Sequence, residues 1–264
     1  MSDYWRADAN REETRVAPLH EQELVAELRR TATDRKLLLF QCAVVRFAPF
    51  AQDGQTIWQL VPTFSWFTPR HVTTPPMNVH EAVEVVERMA DGRAEPSEIE
   101  NAVQCLKYTE YFAESDRFGY DTSLLPGSEL RYGVAYWIMS IARVEPQAAN
   151  VLDYYISAYS GNYYAWAHHE PLHPQHRPVA LALLNDIFGN PFRPVSFDPA
   201  WRTDTAVALA RTMYDARDFG AMPILADALQ DAGCEDEQIL NHCRDANAIH
   251  VRGCWVCDLV LGLS

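Results

Sequence analysis

Apolar residues along this chain recur mostly three and four positions apart, the spacing that lines one face of an α-helix. Over 21–30, Leu24, Val25 and Leu28 share such a face between charged neighbours. Asp34 then precedes RKLLLFQCAVVRFAPF, whose apolar run is too continuous for a surface helix. A buried helix is expected there, ended by Pro49 and the Asp53–Gly54 pair. Asn78 stands at the capping position of VHEAVEVVERMADG, with Val79, Val83, Val86 and Ala90 as the stripe and Gly92 as the stop. Pro96 opens the next helix, and Ser97 with Glu100 matches a capping box. Ser128 precedes ELRYGVAYWIMSIARV, and QAANVLDYYISAYS follows Pro146. The aromatic residues of these two segments predict a large share of the core. After VALALLNDIFG, stopped by Gly189, comes the turn NPFRPVSFDPAW. Four short helices are then expected over 203–216, 220–232, 236–244 and 251–261.

The helical rhythm breaks over 52–77, where β-branched and aromatic residues alternate with four prolines that exclude a central strand. It breaks again in GNYYAWAHHEPLHPQHRP, a loop by its glycine and prolines. The pattern therefore predicts an all-α protein of about ten helices in one compact body. It carries a short irregular or hairpin-like insert at 52–77 and a compact C-terminal four-helix unit. The expected division is a flexible arm at 1–18, a helical region at 19–176 and a compact helical region at 177–264.

Charge narrows the partners. The net charge is −14, from 36 acidic and 22 basic residues. The only basic pairs, Arg29–Arg30 and Arg35–Lys36, lie beside acidic residues, so no stripe exists to neutralise phosphates. Nucleic acid is disfavoured. No apolar run reaches the ~20 residues of a membrane-spanning helix, and the first residues are polar rather than signal-like. The expected compartment is the cytoplasm, where the six cysteines, at 42, 105, 234, 243, 254 and 257, stay reduced.

Candidate chemistry concentrates in NHCRDANAIHVRGCWVCDLVLG, which holds His242, Cys243, His250, Arg252, Cys254, Cys257 and Asp258 within seventeen positions. As a metal site, Cys243, His250, Cys254 and Cys257 offer the thiolate and imidazole ligands that suit tetrahedral zinc. Only one C-x-x-C pair is present, and it falls in an apolar helical pattern. As a catalytic site, Cys254 would be the nucleophile and His242 or His250 the base, with Asp258 or Arg252 orienting or stabilising charge. In the plainer packing account the two histidines cap helix ends and Cys254 and Trp255 face inward. Arg252 then pairs with Asp258 or Asp227. A second histidine group, His168, His169, His173 and His176 with Glu170, reads as a solvated loop able to chelate adventitiously. There is no phosphate-cradling loop, nucleophile elbow, HExxH or dinucleotide fingerprint.

DRKLLLFQCAVVR, HEAVEVVERMADGRAEPSEIENA, DIFGNPFRPVSFDPAW, MPILADALQDAGCEDEQILNHCR and HVRGCWVCDLVLG together resemble an uncharacterised protein family expanded in planctomycete bacteria. The likeness covers roughly 35–48, 79–103 and 183–262. It implies kinship and no activity. This chain departs from the family pattern at Val44–Val45, where relatives carry cysteines, and at Cys257, where they carry an apolar residue.

These readings converge on a non-catalytic interaction or scaffold protein with a protein partner, no membrane and no cofactor. Trp58, Trp66, Phe67, Tyr163, Tyr164 and Trp166 are its candidate contact residues. The alternative is a Cys/His-dependent enzyme or zinc-binding protein built on His242, Cys243, His250 and Cys254.

Overall fold

The computed structural model describes residues 19–47, 77–115 and 177–263, all of whose regular structure is helical. Among the described residues the chain is all-α, as its hydropathy pattern predicts. The helices are α1 (Leu19–Thr31), α2 (Asp34–Phe47), α3 (Val79–Ala90), α4 (Pro96–Ser115), α5 (Arg177–Phe188), α6 (Asp204–Ala216), α7 (Met222–Asp231), α8 (Glu237–Arg244) and α9 (Trp255–Leu261). A 3-10 turn, Pro199–Trp201, precedes α6. No helix among these residues is long and apolar enough to cross a membrane. The expected arm at 1–18, the insert at 52–77 apart from Met77, and the aromatic helices over 128–160 lie outside the described residues.

The chain divides into two units, Met1–Lys36 with Leu181–Ser264, and Leu37–Ala180. The hydropathy pattern alone set 19–176 together; contacts instead place α1 and the start of α2 with the C-terminal helices. Part-buried ion pairs from Arg35 and Lys36 to the buried Asp258 are one physical reason.

In the middle unit, Leu37–Ala180, α2 buries Leu37, Leu39 and every residue from Phe40 to Val45, as its unbroken apolar run requires. Arg46 reaches Glu87 of α3 with both ends of its guanidinium, at 2.7 and 3.3 Å, so this buried carboxylate is paired. Helix α3 packs on α4. The Asn78 side chain accepts from the Glu81 N–H, and Glu81 answers to the Asn78 N–H, a complete capping box. At α4 the contact falls two residues earlier than Ser97–Glu100: the Glu95 N–H donates to the Glu98 side chain, one half of a capping box. Pro96 at the first helical position fixes that start.

In the composite unit, Met1–Lys36 with Leu181–Ser264, α6 packs on α7 and α9, and α8 packs on α7 and α9. Thr203 and Asp236 cap α6 and α8 by accepting backbone N–H groups. The shared core includes Tyr214, Leu225, Leu229, Ile239, Val256 and Val260. Helix α9 starts at Trp255 rather than 251, because Val251–Cys254 form a turn closed by the Cys254 N–H on the Val251 carbonyl at 3.0 Å. Its third residue, Gly253, has φ +91°, a conformation costly for any side chain with a Cβ.

Candidate metal centre

Asp186 enters the composite unit on the last turn of α5, next to the buried Leu183, Leu184 and Ile187. A carboxylate there is 1% exposed and needs partners, since an unpaired buried charge is costly. Its Oδ2 accepts the Val251 N–H at 2.8 Å, which ties the turn before α9 to α5. Its Oδ1 lies 2.7 Å from His250 Nδ1 and 3.2 Å from His242 Nε2. His242 projects from the last turn of α8, and the same Nε2 lies 3.3 Å from Cys254 Sγ. The two imidazole rings meet edge to face, with centroids 4.9 Å apart. Trp255 covers His242 at 5.2 Å, and Phe219 lies 6.5 Å from His250.

Four residues thus converge: Asp186, His242, His250 and Cys254 each offer one ligand atom, all within 4.8 Å of one another. Ligand atoms at about 2.0–2.3 Å from a zinc ion stand about 3.3–3.8 Å apart in a tetrahedron. The Asp186–His242 and His242–Cys254 separations already match that cage, and the widest pair would close by about 1 Å. The donor set suits a borderline-soft ion that accepts thiolate, imidazole and carboxylate together.

Protons alone serve this cluster poorly. Burial would raise the Asp186 carboxyl, but the hydrogen bonds from His242 and His250 outweigh it and hold it below its ordinary range. Burial also opposes charge on the histidines. The charge interaction with Cys254 and the bond to Asp186 still raise His242 to about 9, and the bond to Asp186, followed by Cys254, raises His250 to about 10. Burial pushes the Cys254 thiol well above its usual value. His250 Nε2 is buried and has no hydrogen-bond partner.

Three of the four sequence-nominated residues, His242, His250 and Cys254, are brought together. Cys243 is not among them: it belongs to the hydrophobic core cluster with Cys234, because adjacent helical residues diverge by about 100°. Cys257 does not supply a ligand either; its thiol points to the Met222 sulfur at 3.7 Å. All six cysteines are buried and outside disulfides. Arg252 does not pair with Asp258 or Asp227. It stacks over the Tyr214 ring and lies 3.8 Å from Asp215, while Asp258 holds Arg35 and Lys36 and Asp227 holds Arg244. Asp186 was missed. Its signal was an acid on the apolar stripe of an otherwise hydrophobic helix, near the C-terminal end where negative charge is disfavoured. The candidate contact residues Trp58, Trp66, Phe67, Tyr163, Tyr164 and Trp166, and the histidine loop, lie outside the described residues. No family model, curated protein or solved structure matches the chain.

Proposed function

We propose that this is a metal-binding protein whose composite unit holds one zinc-class divalent ion on Asp186, His242, His250 and Cys254. The observation that carries the reading is the double approach to a single nitrogen. His242 Nε2 faces Asp186 Oδ1 at 3.2 Å and Cys254 Sγ at 3.3 Å. A nucleophilic Cys–His–Asp arrangement needs the thiol and the carboxylate on opposite ring nitrogens, so that one orients the ring while the other receives the proton. Here both crowd the same atom, which suits a cation between them. A cation also supplies what burial withholds from Cys254, because a coordinating thiol is deprotonated outright.

Four protein ligands in a closed interior make a structural type of site, in contrast to the open position of a catalytic one. The ion would tie α5, α8 and the turn before α9. The interaction or scaffold role is compatible with this: the metal would hold rigid the body that presents a surface.

The test is metal analysis of the untagged full chain purified under reducing conditions, followed by replacement with Co(II). One ion per chain is expected, with a thiolate-to-cobalt charge-transfer band that Cys254→Ser abolishes. Failure of the wild-type protein to take up either ion stoichiometrically would overturn the reading.

A further inference from the structure

Close to the four ligands is a cation whose contacts have no place in ordinary surface electrostatics. Lys36, in the first turn of α2, directs its ammonium to three acceptors: the Ile187 carbonyl at 2.8 Å, the Gly253 carbonyl at 2.6 Å and Asp258 Oδ2 at 2.6 Å. The two carbonyls accept hydrogen bonds, and Asp258 balances the charge as an ion pair. Two of the acceptors are the backbone groups directly beside ligands, Ile187 following Asp186 and Gly253 preceding Cys254. Arg35 lies alongside but touches neither carbonyl in the hydrogen bonds its guanidinium makes to Asp258 and Tyr214. Its guanidinium forks onto both oxygens of Asp258, at 2.6 and 3.0 Å, and reaches the Tyr214 hydroxyl at 2.7 Å.

We infer that Lys36 is a positioning residue of the metal centre: its ammonium clamps the Asp186 and Cys254 segments at ligand spacing, so metal affinity depends on docking of the α2 start. The inference rests on the metal-centre reading and adds its regulation. Asp186 and Cys254 come from different elements, α5 and the turn before α9. Between them the Val251 N–H on Asp186 fixes the turn at one end, and Lys36 fixes it at the other. Loss of the ammonium frees Gly253, a residue whose left-handed backbone already resists that conformation least only because it is glycine. Binding linkage is reciprocal, so metal occupancy must tighten the Lys36 contacts by the same factor as those contacts tighten the metal.

The experiment compares wild type, Lys36→Met and Arg35→Met as full chains, titrated with Co(II) and then with buffered Zn(II). Both variants remove a cation from Asp258, but only Lys36→Met removes the clamp on the two carbonyls. Lys36→Met is expected to weaken metal binding about tenfold or more, the range of lost outer-shell partners, and to alter the cobalt ligand-field bands. Arg35→Met is expected to stay within about threefold of wild type with unaltered bands, since its hydrogen bonds to Asp258 and Tyr214 leave both carbonyls beside the ligands to Lys36. A purely structural role for Lys36 would lower the melting temperature and leave the bands and affinity of the folded protein unchanged, and that result overturns the inference. Equal losses in both variants would also overturn it, by assigning the effect to Asp258. Wild type that binds no cobalt refutes the centre itself, whereas wild type that binds with Lys36→Met indistinguishable refutes only the clamp. If Lys36→Met does not fold, amide exchange of the wild-type chain decides. Zinc should slow exchange over 34–38 as well as over 250–258, and slowing confined to 250–258 overturns the coupling.

Discussion

Asp258 and Asp186 are buried to nearly the same depth in the composite unit, 2% and 1% exposed, yet their surroundings differ in how fully donors and acceptors are matched. Asp258 receives the fork of Arg35 and forms an ion pair with Lys36, whose hydrogen bonds go to two carbonyls. Arg35 also has the Tyr214 hydroxyl. Around Asp186 the donors are two imidazoles and one backbone N–H, two of them aimed at a single oxygen, and a nearby histidine nitrogen is left without a partner. The contrast teaches that burial of charge is not itself a functional signal. Guanidinium and ammonium donors complete the Asp258 site, whereas titratable donors crowded on one oxygen leave at Asp186 a site that the proposed metal would complete.

The strongest lever on that contrast is pH. His242 and His250 have folded values raised to about 9 and about 10, above the ordinary histidine value. Their stabilising contribution is therefore fully present below about pH 6.5 and declines as pH rises, disappearing once pH passes the folded values. The decline approaches roughly 1.4 kcal/mol per pH unit for each imidazolium retained by the fold alone. Asp186, held low, adds stability above its ordinary range that is lost as pH falls through its folded value. Urea melts of metal-free protein from pH 5 to 10 should show stability falling across the alkaline half. With zinc the slope should flatten or reverse, because ligands must shed protons to bind. A metal-free profile flat from pH 6.5 to 10 would erase the distinction between the two aspartates.

Asp258→Asn should come next in size, at about 3–5 kcal/mol of lost stability, since it leaves two cations, Arg35 and Lys36, part-buried without their anion. Equilibrium denaturation checks it, and a cost under about 1 kcal/mol would place this pair with ordinary surface bridges. Asp186→Asn should weaken Zn(II) by more than about 100-fold in competition with a chelator, exceeding the loss typical of outer-shell partners. Unchanged affinity would remove Asp186 from the ligand set. The smallest effect belongs to Gly189→Ala, at about 1–2 kcal/mol. Gly189 has φ +65°, and a Cβ there would lie 3.3 Å from the Trp255 indole that covers His242. A thermal melt reads the cost, and a shifted cobalt spectrum would show that the strain reaches the centre.

Much of this arrangement was legible in the sequence, and the exceptions have physical reasons. Residue type and density singled out His242, His250 and Cys254 without any contact information. Cys243 shared that density, but its helical phase carried it to the core. Asp186 stands 56 positions before His242, a difference of residue numbers that no local spacing rule can bridge. Caps at Asn78, Thr203 and Asp236 were readable because a short polar side chain before an apolar stripe has one local use. The start of α9 was not, because Gly253 and the Val251 N–H are held by Asp186 and Lys36, both remote in sequence. The same remoteness hid the membership of α1 in the composite unit.

The partners of Lys36 also impose an order in time. Its bonds to Gly253 and to the Asp258 side chain span more than 200 residues. A ribosome adding about 5–20 residues per second makes the ammonium on the order of ten to forty seconds before those acceptors exist. Through that interval the first helices must be synthesised, and kept from other partners, without the anchors that fix them in the finished fold. Synthesis of residues 253–258, rather than local helix formation, then sets when Lys36 acquires its final neighbours.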